Sequence, residues 1–247
     1  MRTSELMRTG AAAVVLLLST AVAGCGAEEP TTDKIQPAES AQEPAGLPAP
    51  RSTGPIYGNP DDASTYWAEQ TYSDCGLMAV ATVVGMVSGK APTEQDMIEL
   101  AGNTPSQERS GPIYLAPQPG DDTTDNATAP EDQLRLLKHF GIAATITNDD
   151  IAAAGGIPTG LDALEQYLGA GRKAIVSVNA ETIWGEGGDH TEEDHAIVVA
   201  AIDTDQQIAY LSDSGTETGA GEQVPLNTFE TGWQASGHAL LVTDKPA

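Results

Sequence analysis

Residues 75–87 read Cys-Gly-Leu-Met-Ala-Val-Ala-Thr-Val-Val-Gly-Met-Val, ending near Gly89, and carry no charge. A helix that is apolar on every face must be enclosed on every face. The rest of the chain therefore has to wrap this segment, and it offers two kinds of cover. Thr93 opens a second helix, with Gln95 and Asp96 in its first turn and Met97, Ile98 and Leu100 as its apolar face. Residues 102–130 are rich in Gly, Pro, Asp and Thr and read as a long irregular excursion. Glu131 to Phe140 and Leu161 to Leu168 have the spacing of short amphipathic helices. The period then changes. Lys173 to Val178, His195 to Ile202, Gln207 to Leu211 and His238 to Thr243 are β-rich runs bounded by turn residues. Helices first and strands after predict an α+β fold, with N-terminal helices packed on a mostly antiparallel C-terminal sheet.

The N-terminus has a different logic. Arg2 and Arg8 precede an apolar run, Ala11 to Leu18, which is too short for a bilayer span of about 20 residues. Val22-Ala23-Gly24-Cys25 follows and resembles the lipobox of bacterial lipoproteins; the alternative is an ordinary secretion signal with a chance Cys. The expected organisation is a signal peptide over 1–24, then a lipidated Cys25 with a Pro/Ala/Glu-rich tether to residue 60, then one domain over 61–247. Two acyl chains on Cys25 would hold the protein on the extracytoplasmic face of the cell membrane. No other segment is apolar enough to span. With 36 acidic against 11 basic residues the net charge is −25, which repels phosphate backbones and excludes nucleic acid as a partner. Two cysteines cannot make a disulfide scaffold. If Cys25 is lipidated, Cys75 is the one remaining thiol in an oxidising compartment, a candidate reactive group.

Asp74 is a good helix N-cap, which sets Cys75 at the first helical position. Orphan N–H groups and the helix dipole favour a thiolate there; the alternative is a small buried hydrophobe. A nucleophilic thiol needs a base, and the base an orienter. Of the four His, His139 ends an amphipathic helix, His238 opens the last strand and His190 lies in an acid-rich loop. His195 stands apart as the first residue of the nearly all-apolar run His195 to Ile202, and Asp213 closes the next strand. If Asp203-Thr204-Asp205 is a three-residue turn, His195 falls opposite Asp213; an even turn needs a bulge to keep the two on one face.

Gln70 and Asp74-Cys75-Gly76, Asp194-His195-Ala196 and Tyr210-Leu211-Ser212-Asp213-Ser214-Gly215 together resemble the papain-like cysteine peptidases of the bacteriocin-processing, double-glycine type, in a stand-alone secreted form. Val224-Pro225-Leu226-Asn227-Thr228-Phe229 and Trp233 extend the resemblance, which covers most of residues 65–245. It implies a papain-like fold whose central helix carries the Cys. It also implies Cys75 as nucleophile, His195 as base and then acid, Asp213 as orienter and Gln70 as side-chain donor to the oxyanion. Trp184, and with it Asp74, is expected at the substrate cleft, the alternative for Trp184 being packing within its own domain. The cluster Asp189, His190, Glu192, Glu193, Asp194, His195 matches no zinc motif, and Asp121, Asp122, Asp125 and Asn126 lack the Gly and terminal Glu of a calcium loop. No metal or other cofactor is expected, and the protein is expected to be a monomer acting on a peptide or protein. The competing functions are a cell-wall amidase or transpeptidase using the same thiol, and a non-catalytic lipoprotein that binds peptides or a partner.

Overall fold

The computed structural model describes residues 55–117 and 127–247. The expected signal peptide, Cys25, most of the tether and the Asp121–Asn126 segment lie outside the described residues. The elements run β1 (Ile56–Gly58), α1 (Asp62–Thr65), α2 (Cys75–Ser88), α3 (Glu94–Gly102), α4 (Pro130–His139), β2 (Ala144–Thr147), α5 (Asp149–Ala153) and α6 (Leu161–Gly169). They continue as β3 (Ala174–Val178), α7 (Ala180–Trp184), β4 (His195–Asp203), β5 (Ile208–Ser212), β6 (Glu222–Pro225), α8 (Leu226–Gln234) and β7 (Leu240–Thr243). One antiparallel sheet has the order β2-β7-β3-β4-β5-β6, with β1 paired to the far end of β4. The fold is α+β.

Helix α2 is buried from Gly76 through Gly85. It packs with α3 and α4 on one face of the sheet, against Ile175 of β3, Ala196 and Val198 of β4 and Leu241 of β7. The opposite face carries α6 and α8, whose Leu164, Phe229 and Trp233 meet Val176, Ile197, Val199 and Val242. All nine residues of β4 are buried. A strand covered on both faces reads as a continuous apolar run rather than an alternating one, which explains His195-Ala-Ile-Val-Val-Ala-Ala-Ile202.

Several elements depart from the sequence reading. Ile56 to Gly58, placed in the tether, pair with Ala201 to Asp203, so the folded part begins before residue 61. Strand β7 begins at Leu240, because His238 takes φ 56 and bonds Asp149 instead of joining the ladder. The short elements β2, β6, α5 and α7 carry too few residues to show a period. The β4–β5 turn is also not the three-residue one. Asp203 pairs with Ile208, leaving Thr204 to Gln207 as an even, four-residue connection. The Asp203 carboxylate accepts the N–H groups of Asp205 and Gln206 (3.0 and 2.8 Å) and sets that turn. A bulge between Val199 and Ala201 then shifts the ladder, so that Val198 pairs with Ser212. Continued, this register sets Gly215, not Asp213, across from His195. The bulge keeps His195 and Asp213 on one face, and they meet diagonally past the last paired residues.

Candidate active site

The α2 N-terminus, the start of β4 and the end of β5 converge at one edge of the sheet. Cys75 is the first residue of α2 and is half-buried. The His195 ring bonds both neighbours. Its Nε2 lies 2.6 Å from Asp213 Oδ1, and the ring also acts on the Cys75 thiol through hydrogen bonding and charge.

Asp213 is 0 % exposed and fixed at every polar atom. Its Oδ1 also accepts the Gly215 N–H at 2.7 Å, and its Oδ2 accepts the Trp184 indole N–H at 2.9 Å. Its backbone N–H donates to the Gly219 carbonyl at 3.0 Å, and its carbonyl accepts the Trp67 indole N–H. Two glycines allow this. A Cβ at Gly219 would lie 1.8 Å from the Asp213 carbonyl oxygen, and one at Gly215 would lie 2.8 Å from the Trp184 ring and 3.0 Å from His195 Cε1.

The charges follow from these contacts. Burial alone pushes the Cys75 thiol up. The His195 hydrogen bond and charge, with the N–H groups of Ala196 and Gly76, outweigh it and hold the thiol below its ordinary value. Burial favours neutral His195, but Asp213 and Cys75 together raise it to about 10. Burial likewise opposes ionised Asp213, and His195, Trp184 and Gly215 hold it below the carboxylate range. The contacts favour the ionised thiol and the protonated imidazole together, with a carboxylate behind them.

Gln70 sits beside this set. Its backbone N–H donates to the Ser214 carbonyl, and its Oε1 accepts the Ser214 hydroxyl at 2.8 Å. Its Nε2 gives one hydrogen to the Tyr72 carbonyl at 2.9 Å, and an amide nitrogen carries two. Ser214 thus ties the Gln70 amide to the chain that holds Asp213.

Trp184 points to His195 and Asp213, its ring 5.2 Å from the imidazole, and does not line the cleft. Asp74 occupies the N-cap position but its side chain caps nothing, is buried, and also lies away from the cleft lining. The cleft beside Cys75 and His195 has a volume of about 410 Å³. Thr128, Pro130, Ile146 and Ile151 give it an uncharged wall, and Glu131 and Glu193 bring negative charge to it.

The acid-rich loop is used internally. Asn179 caps α7 and donates to the Asp189 and Glu192 carbonyls (2.7 and 2.8 Å), Asp194 accepts the Ala180 N–H, and Asp189 bonds Thr191. His139 is exposed at the end of α4 and His190 meets Thr182, both remote from Cys75 in their contacts. Sequence reasoning missed Trp67, Ser214 as a holder of Gln70, and Gly219. Trp67 carried no local signal, whereas Ser214 was visible only as the neighbour of Asp213.

Comparison with known proteins bears on the family and the fold. A family model described as the Peptidase_C39 like family matches residues 63–241. Uncharacterized proteins of Mycobacterium bovis and Mycobacterium tuberculosis are each 44% identical over 203 residues, covering 79% of this chain and 88% of theirs. The crystal structure of a candidate C39-like peptidase from Bacillus anthracis superposes with a TM-score of 0.50 at 15% identity, over 78% of this chain and all of that one. That likeness speaks to the fold.

Proposed function

We propose that this chain, which belongs to the Peptidase_C39-like family, is a cysteine peptidase that works through Cys75, His195 and Asp213 on the outer face of a cell membrane. The observation that carries the reading is the His195 ring, bonded to the Cys75 thiol on one side and to Asp213 Oδ1 at 2.6 Å on the other. The Cys75 thiolate attacks the carbonyl carbon of a peptide bond, and the oxyanion takes hydrogen bonds from the Cys75 N–H and the second Gln70 Nε2 hydrogen. Imidazolium Nδ1–H then protonates the departing amine as the C–N bond breaks. Neutral Nδ1 next removes a proton from water, which attacks the thioester; the C–S bond breaks to release the acid, and the thiolate and imidazolium are restored. Asp213 keeps the Nε2–H tautomer and stabilises the cation throughout.

The test is hydrolysis of a peptide library by the wild-type protein and Cys75→Ala. Activity should vanish in Cys75→Ala and fall about 100–1,000-fold in Gln70→Ala, the usual effect of losing one oxyanion donor. Full activity in Cys75→Ala would overturn the reading. Adding a free amine separates hydrolysis from transfer, because a transpeptidase would give amide product. Membrane attachment rests on Val22-Ala23-Gly24-Cys25. Cys25→Ser should move the protein from the detergent phase to the aqueous phase on Triton X-114 partition.

A further inference from the structure

Asp74 directly precedes the nucleophile, yet the mechanism gives it no part. Its side chain is 1 % exposed, and neither carboxyl oxygen has a hydrogen-bond partner of ordinary geometry. Two groups face it. One is Glu94, the first residue of α3, whose Oε1 accepts the Thr71 N–H and so ties α3 to the turn that carries Gln70 and Cys75. The other is Tyr114, 0 % exposed, whose hydroxyl also lacks a partner. Tyr72 and Cys75 are the other titratable groups that act on Tyr114. The charge that acts on Asp74 is thus of its own sign. Burial and the like charge of Glu94 outweigh the backbone N–H of Asp74, which favours ionisation, so the carboxyl holds its proton well above the ordinary carboxylate range. A neutral carboxyl carries an O–H, and the acceptor within reach is Glu94.

We propose that Asp74 is held protonated against Glu94, and that this contact positions the Gln70–Cys75 turn against α3 only while the proton is held. Burial, and then the Glu94 charge, push Asp74 up to about 7, so the proton leaves near neutrality. Two adjacent carboxylates then repel, and the Thr71 N–H tie to Glu94 is disturbed. The oxyanion donor Gln70 lies one residue before that tie. For activity, which rests on the function proposed above, the consequence is an alkaline limb near pH 7. His195, raised to about 10, would place that limb far higher. Glu222, pushed up to about 7 by burial and then by Asp213, titrates in the same range, so assignment requires a variant.

That variant is Asp74→Asn in the full chain, whose amide keeps the shape and donates to Glu94 at every pH. The first readout is the urea midpoint from pH 4 to 9, which needs no substrate. Folded Asp74 holds its proton when the unfolded chain has lost it near pH 3.9, so wild-type stability falls as pH rises from there to about 7. Asp74→Asn should lack that fall, gaining on wild type across this window and running parallel to it above. The second readout is hydrolysis, whose falling limb should move up by at least one pH unit. If Asp74→Asn does not fold, Glu94→Gln serves: its amide can donate to an ionised Asp74, and it should lessen the fall over the same window, burial of Asp74 keeping the rest. Parallel stability profiles for wild type and the folded variants would overturn the proposal. If the profile flattens but wild type hydrolyses nothing, the pair stands and the peptidase reading falls.

Discussion

The strongest test of the site is the pH dependence of Cys75 alkylation in wild type and His195→Gln. Burial pushes the thiol up, and His195 is the largest influence bringing it down. With the imidazolium gone, the Cys75 thiol should titrate at or above the free value of about 8.5. The thiolate fraction in the mutant is then at most about 3% at pH 7 and about 0.3% at pH 6. The rate at a single pH is a poor discriminator. Thiolate nucleophilicity falls with pKa, with a Brønsted slope of about 0.4–0.5, so a more acidic thiol is intrinsically slower and offsets part of its larger thiolate fraction. The slope with pH carries the information. Between the two pKa values the wild-type rate is flat while the mutant rate falls tenfold per pH unit, so their ratio should widen by about tenfold for each unit of acidification. Iodoacetamide labelling followed by intact mass from pH 5 to 10 measures both curves, and Gln at 195 retains a side chain able to bond Asp213. Superimposable curves would show that the imidazole does not hold the thiolate and would refute the reasoning.

Trp184→Phe removes the 2.9 Å donor to a fully buried carboxylate and keeps a ring near His195. The cost should be about 2 kcal/mol, a fall in Tm of about 4–8 °C by calorimetry. Gly219→Ala puts a Cβ 1.8 Å from the Asp213 carbonyl oxygen, a backbone atom that cannot step aside. It should cost at least about 3 kcal/mol in urea unfolding, whereas Gly187→Ala, with open space around it, should stay within about 0.5 kcal/mol. Asp213 is held below the carboxylate range, so its contribution is present above the unfolded value of about 3.9 and is lost as pH falls through its folded value. Wild type should therefore lose stability relative to Asp213→Asn below about pH 4, read from urea midpoints.

The local sequence determined the parts whose physics is local. An uncharged, all-apolar run from Cys75 to Val87 can only be a buried helix, and its first residue meets the orphan N–H groups of the helix end whatever surrounds it. The apolar run after His195 made a buried strand for the same reason, and hydrophobic period placed α3, α4, α6 and β3 to within a residue or two. Tertiary structure decided what depends on partners distant in the chain. The bulge at Val199/Ala201 and the even turn replaced the simple hairpin, because Asp203 bonds its own turn and β1 joins at that end of β4. Trp184 left the cleft for Asp213 because a buried carboxylate needs every donor it can reach. Asp74 gave up its cap and turned inward to Glu94, 20 positions along the chain, a contact that no spacing rule foretells. A side chain's chemistry can be read from its identity, but whether that side chain is dry, charged or paired depends on which remote segment packs against it.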